Sequence, residues 1–86
     1  MYEIEIAPKV LKFLAHLQEN NPAIAGRLFN AIDELKQFPH KGKKLMGDLK
    51  DFRSLRVSQY RILYVVYEKR VLTQIVKIAL RRDVYR

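Results

Sequence analysis

Tyr2, Ile4 and Ile6 alternate with Glu3 and Glu5, the period-two pattern of a strand with one buried face, and predict a strand over residues 2–7. Pro8 stops it and suits the first turn of a helix, where its missing N–H leaves nothing unpaired. From Lys9, residues Val10, Phe13, Leu14 and Leu17 recur at helical spacing as far as Asn20. Asn21-Pro22 then reads as an N-cap followed by a first-turn proline. Ile24, Leu28, Ile32 and Leu35 make a second apolar stripe that runs to about Gln37, so the two helices form a hairpin. Phe38-Pro39-His40-Lys41-Gly42-Lys43-Lys44 breaks the period and predicts an exposed basic loop.

Residues 52–80 are rich in β-branched and aromatic side chains, with interruptions at Ser58-Gln59 and Glu68-Lys69-Arg70, which predicts three strands. If Ser58-Gln59 is a two-residue hairpin loop, Val57 pairs with Tyr60, Arg56 with Arg61 and Leu55 with Ile62. Leu55, Val57, Tyr60, Ile62, Tyr64 and Val66 then share one face, the floor for the helices. Ser54, Arg56, Arg61, Leu63 and Val65 take the other. For the last hairpin a three-residue loop pairs Tyr67 with Val71 and Arg61 with Lys77. It puts Leu72, Val76, Ile78 and Leu80 in the core, and Lys77, Ala79 and Arg81 beside Arg56 and Arg61. A two-residue loop would bury Lys77 and Arg81, at greater cost than giving Gln74 a hydrogen bond. The expected fold is α+β, in the order β-α-α-β-β-β, with the helical hairpin packed on one face of a mainly antiparallel four-stranded sheet and residues 1–86 forming a single domain. Adjacency alone does not fix the place of the first strand in the sheet.

Charge sharpens this picture. The chain of 86 residues carries 17 Lys and Arg against 9 Asp and Glu, a net +8. Residues 1–35 hold three basic and five acidic groups, net −2, so residues 36–86 hold the remaining fourteen basic and four acidic groups, net +10. A field of that size draws polyanions: RNA, DNA, an acidic protein or an anionic surface. The plain alternative is a solvated basic surface. With no Cys there is no disulfide, thiolate zinc site or cysteine nucleophile, and His16 and His40 are too far apart in sequence to suggest a metal pair. No cofactor and no metal are expected. No apolar run approaches the roughly 18 residues of a membrane span, and the start lacks the basic and apolar regions of a secretion signal. The expectation is a cytoplasmic protein that does not engage membranes.

The last strand leads into Leu80-Arg81-Arg82-Asp83-Val84-Tyr85-Arg86. Tyr85 among arginines is a ring that can stack on an unpaired base or pass a proton, and it can equally be packing that ties down a chain end. Arginines converging on one phosphodiester could hold it bidentately and stabilise the charge that develops as a 2′-hydroxyl attacks. Arg56 and Arg61 could also be a simple solvent face, although like charges directly opposite each other are mildly destabilising.

With Gly47-Asp48-Leu49, the run Phe52-Arg53-Ser54-Leu55-Arg56-Val57-Ser58-Gln59-Tyr60-Arg61-Ile62-Leu63-Tyr64 and the ending Leu80-Arg81-Arg82-Asp83-Val84-Tyr85, the chain resembles the RelE branch of the RelE/ParE toxin superfamily over essentially its whole length. The resemblance implies the toxin of a type II toxin-antitoxin pair, an endoribonuclease that cuts mRNA in the ribosomal A site, with ribosome, mRNA and a RelB-like antitoxin as partners. By the same resemblance Arg61 contacts the scissile phosphate, Arg56 and Arg81 are further catalytic cations, and Tyr85 acts at the cleaved nucleotide. Lys41, Lys43, Lys44, Lys50, Arg53, Lys77 and Arg82 are the candidate contacts to the RNA backbone. Phe52 and Ser54 stand where the best-known member carries lysines, which leaves Lys43, Lys44, Lys50 and Tyr85 as candidates for the general base. The alternatives are a ParE-like inhibitor of DNA gyrase, or an inactive toxin-like module that only binds.

Overall fold

The computed structural model describes residues 1–83. Alternation makes Glu3–Ile6 a strand, β1, and Pro8 opens helix α1 (Pro8–Asn20), which buries Val10, Leu14 and Leu17. Helix α2 (Pro22–Glu34) buries Ala25, Leu28 and Ile32. Asn21 serves both helices. Its N–H donates to the Leu17 carbonyl at 2.7 Å, and its side-chain oxygen accepts from the Ile24 N–H at 3.4 Å, closing α1 and capping α2. Among the described residues no helix is long and apolar enough to cross a membrane.

Among the described residues the sheet has five strands where four were expected, in the order β1-β5-β4-β3-β2. The extra one, β2, is only Lys43–Lys44, an edge pairing with β3 (Arg53–Val57). It lies inside the segment expected to be an exposed loop, of which Pro39 and Gly42 are also buried. The cause is Tyr64, wholly buried, whose hydroxyl donates to the Pro39 carbonyl at 2.8 Å and accepts from the Gly42 N–H at 2.7 Å. A Cβ on Gly42 would lie 2.5 Å from that hydroxyl oxygen, so glycine is what lets the backbone come close. Strands β4 (Tyr60–Tyr67) and β5 (Leu72–Leu80) complete the antiparallel part. β1 pairs with β5 in parallel, Ile4 opposite Thr73 and Ile6 opposite Ile75.

The Ser58-Gln59 hairpin has the expected register, with Arg56 opposite Arg61. The β4–β5 hairpin does not. Its connection has four residues, Glu68 to Val71, and Tyr67 pairs with Leu72. A shift of one residue would by itself turn Lys77 into the core. A bulge opposite Leu63/Tyr64 absorbs it, so that Tyr64 faces Ile75 while Leu63 faces Lys77. The expected core positions are corrected accordingly. Thr73 and Ile75 take the helix-facing places expected of Leu72 and Val76; Leu72 is buried all the same, though outside the helix-side cluster, Val76 and Leu80 are only partly buried, and Ile78 is buried as expected. Ile62, Tyr64, Ile75 and Ile78 pack with the helix residues Leu14, Leu28 and Leu35 in one core.

Two predictions follow from these contacts. Tyr64→Phe leaves two buried backbone groups without a partner and lowers unfolding free energy by about 1–3 kcal/mol, read from urea denaturation. Val71, exposed and β-branched, holds φ at 52° and ψ at 48° to close the turn, a conformation that costs such a residue roughly 1–2 kcal/mol. Val71→Gly removes that strain and raises the melting temperature, net of glycine's greater entropy loss.

Candidate nucleic-acid interface

The helices cover one face of the sheet, and the cations that face away from them collect on the other. Ser58 takes φ of 56°, the positive value a two-residue hairpin needs at its first loop position. The tight turn fixes Arg56 directly opposite Arg61, and Arg61 lies in turn opposite Ala79, whose small side chain leaves room above β5. The next row along this face runs Lys43, Ser54, Leu63, Lys77 across β2, β3, β4 and β5. Arg61 leans towards that row, its Nη1 donating to Ser54 Oγ at 3.2 Å. Beyond β5 the Arg81 N–H donates to the Gln59 carbonyl at 3.0 Å. Gln59, Arg61, Leu80, Arg81 and Arg82 thereby line an open concavity at the hairpin end of the sheet. Arg82 Nε lies 3.8 Å from Asp83 Oδ2, a solvent-exposed contact that leaves the guanidinium accessible. Lys77 Nζ reaches the Asp83 carbonyl at 3.5 Å, linking β5 to the start of the C-terminal segment.

The candidate residues therefore fall into groups. Arg56, Arg61, Lys43 and Lys77 share the open face, with Arg81 and Arg82 at its rim. Arg53 does not join them. It pairs with Tyr64 on the helix side, and its Nη1 donates to the Gly42 carbonyl at 2.9 Å and the His40 carbonyl at 3.2 Å. It is spent on holding the 38–44 segment. Lys41 makes an ion pair with Glu34 at the end of α2, while Lys44 and Lys50 line a shallow hollow with Asp51, Arg53 and Glu68. Tyr85 lies outside the described residues. The open-face set can do one thing well: several guanidinium forks and ammonium groups on a rigid sheet can grip a phosphodiester and stabilise added negative charge on it.

Sequence reasoning missed two features. Ser54 shares the arginines' face by alternation, but its contact with Arg61 depends on a rotamer. The second is a cluster at the far end of β4, where Glu68 accepts from the Tyr2 hydroxyl at 2.7 Å and from the His40 ring. These residues are 66 and 28 positions from Glu68 in sequence and no local pattern links them. The two hydrogen bonds, the Tyr2 bond foremost, hold the Glu68 carboxyl below its ordinary value of 4.5, and the same contact with Glu68 raises the Tyr2 phenol.

A family model described as the ParE toxin of type II toxin-antitoxin systems, parDE, matches residues 4–85. A toxin named RelE4 from Methanocaldococcus jannaschii is 32% identical over 63 residues, 73% of this chain and 67% of that one. The archaeal RelE–RelB complex of Pyrococcus horikoshii OT3 contains a chain that superposes with a TM-score of 0.76 at 28% identity, covering 96% of this chain and 98% of that one. A chain of the RelBE2 toxin-antitoxin complex from Mycobacterium tuberculosis reaches a TM-score of 0.80 at 23% identity, over 93% and 98% of the two chains, a likeness of fold.

A carboxyl held low in the folded state adds stability above its unfolded value, and that stability is lost as pH falls through the folded one. Glu68→Gln is accordingly expected to be less stable than the parent at neutral pH, with the gap closing below about pH 4.5; urea midpoints across pH 3–7, about the range where a carboxyl titrates, measure it.

Proposed function

This chain belongs to the ParE toxin family of type II toxin-antitoxin systems, as a RelE-like toxin of the RelE/ParE superfamily, and we propose that it is a ribosome-dependent endoribonuclease that cuts mRNA in the A site. The observation that carries this reading is the cross-strand pair Arg56 and Arg61 on the open face, continued by Arg81 and Arg82 at the rim. Like charges set directly opposite one another work against folding. They are intelligible when an anion is to be placed between them. In this reading Arg61 and Arg56 hold the scissile phosphate. A 2′-hydroxyl attacks the adjacent phosphorus as its proton passes to water, the bond to the 5′-oxygen breaks and that oxygen takes up a proton, and the arginines stabilise the charge that builds on the phosphoryl oxygens. Arg81 adds charge stabilisation on the leaving-group side, or protonates the leaving oxygen through a water. Tyr85 orients the base, and Lys43 and Lys77 contact the flanking backbone. Neither a metal nor a cofactor enters this scheme.

The partner in this reading is a RelB-like antitoxin, as in the RelE–RelB complex of P. horikoshii. Such a partner would neutralise the +8 charge of the toxin. Membership of the ParE toxin family keeps a second reading, the one the sequence resemblance also implies: inhibition of DNA gyrase, in which the same basic face would bind protein and cleave nothing.

Arg61→Ala and Arg81→Ala are expected to abolish inhibition of cell-free translation, each by about a hundredfold or more, while urea midpoints stay close to the parent's. Translation inhibition that survives in both folded variants contradicts the assignment. Gyrase supercoiling lost in the presence of the parent protein, with translation untouched, would favour the second reading.

A further inference from the structure

Ser54 is 3% exposed, one of two buried polar side chains alongside Thr73 among the described residues. Its position on β3 is unusual for a buried serine, because it faces the open side of the sheet, between Lys43 on β2 and Leu63 on β4. What covers it includes Arg61, whose guanidinium Nη1 sits 3.2 Å from the serine oxygen. Arg61 belongs to the pair position opposite Arg56, whereas Ser54 belongs to the next pair on the same face, two residues along, opposite Leu63. The arginine therefore runs along the face by one pair position, away from the hairpin turn and from the strand position of its like-charged neighbour. Arg56 is exposed by comparison.

We propose that Ser54 is a positioning residue for Arg61: by accepting from Nη1 it fixes the guanidinium in one rotamer, with the remaining N–H groups free to meet a phosphate. The inference rests on the phosphodiester reading of the open face. An arginine side chain carries several rotatable bonds, and ordering it when the substrate arrives would cost entropy. A buried acceptor supplies that order beforehand. Serine suits the place because its hydroxyl accepts without adding charge, so the arginine keeps its full attraction for an anion. A carboxylate here would neutralise it. The proposal concerns only the orientation of Arg61, and Ser54 itself contacts no reacting atom.

Two readouts test it, one of which needs no catalysis. In ¹⁵N-detected spectra of the full chain, rotation of the Arg61 guanidinium is expected to be slowed in the parent and to become fast in Ser54→Ala, with Ser54→Thr, which keeps the hydroxyl, resembling the parent. Equal rotation in parent and Ser54→Ala overturns the proposal whatever the protein's activity. The second readout is the rate of mRNA cleavage on ribosomes under single-turnover conditions. Ser54→Ala is expected to slow cleavage about tenfold and Ser54→Thr to recover most of it. In an Arg61→Lys background, Ser54→Ala is expected to add little further loss. Full activity in Ser54→Ala, or an undiminished loss in the Arg61→Lys background, contradicts the role of Ser54 while leaving the nuclease reading in place. A parent protein that cleaves nothing contradicts the nuclease reading, and the guanidinium rotation then decides the positioning claim by itself.

Discussion

The cost of burying charge governs the arrangement of this sheet. One face is sealed by two helices around Ile62, Tyr64, Ile75 and Ile78, and the middle of that apolar core offers a cation no partner, whereas Arg53 at its edge finds the Gly42 and His40 carbonyls. The four-residue connection between β4 and β5 sets a register that, continued unbroken, would drive Lys77 into that core. The bulge beside Leu63/Tyr64 adds one residue of β5 and returns Lys77 to the open side. The consequence reaches beyond Lys77: the same correction sets Ala79 opposite Arg61 and brings Arg81 to the hairpin end near Gln59. A packing constraint on one face thus assembles the cationic surface on the other.

The contrast between Arg53 and Arg56 shows how strand parity divides the labour of identical side chains. They stand three positions apart on β3 and so point to opposite faces. Arg53 on the helix side is absorbed by the Gly42 and His40 carbonyls, and together with the Tyr64 hydroxyl it pins the 38–44 segment so that Lys43 and Lys44 can form an edge strand. Arg56 on the open side makes no comparable bond among the described residues and sits opposite another arginine. Stability is gathered on one side of the sheet and spent on the other, the distribution expected where a surface is shaped for an anionic ligand.

Much of this was legible in the sequence because it depends on short-range pattern. Period two marks β1 and period 3.6 marks both helices. The two-residue Ser58-Gln59 loop sets the Arg56–Arg61 pairing, and with it the face on which the arginines lie. The β5 register was not legible. The loop is longer by one residue and the bulge adds another, so Lys77, Ala79 and Ile78 keep their expected faces but sit two residues out of the expected register, while between loop and bulge Leu72, Thr73 and Ile75 exchange faces and Val76 is taken up by the bulge. Nor could pattern assign Arg53 to structure, since alternation put it on the helix side while charge suggested a ligand contact. The contacts of Glu68 with Tyr2 and His40 and of Ser54 with Arg61 depend on tertiary geometry and on rotamers, which no periodicity records.

The central claim is that the open face cuts mRNA held by a ribosome. Primer extension on mRNA in a cell-free translation system tests it most directly, with the parent protein assayed in the presence and absence of ribosomes. The account predicts new ends within codons that appear only when ribosomes are present. Intact mRNA under both conditions, with the protein folded, would contradict it.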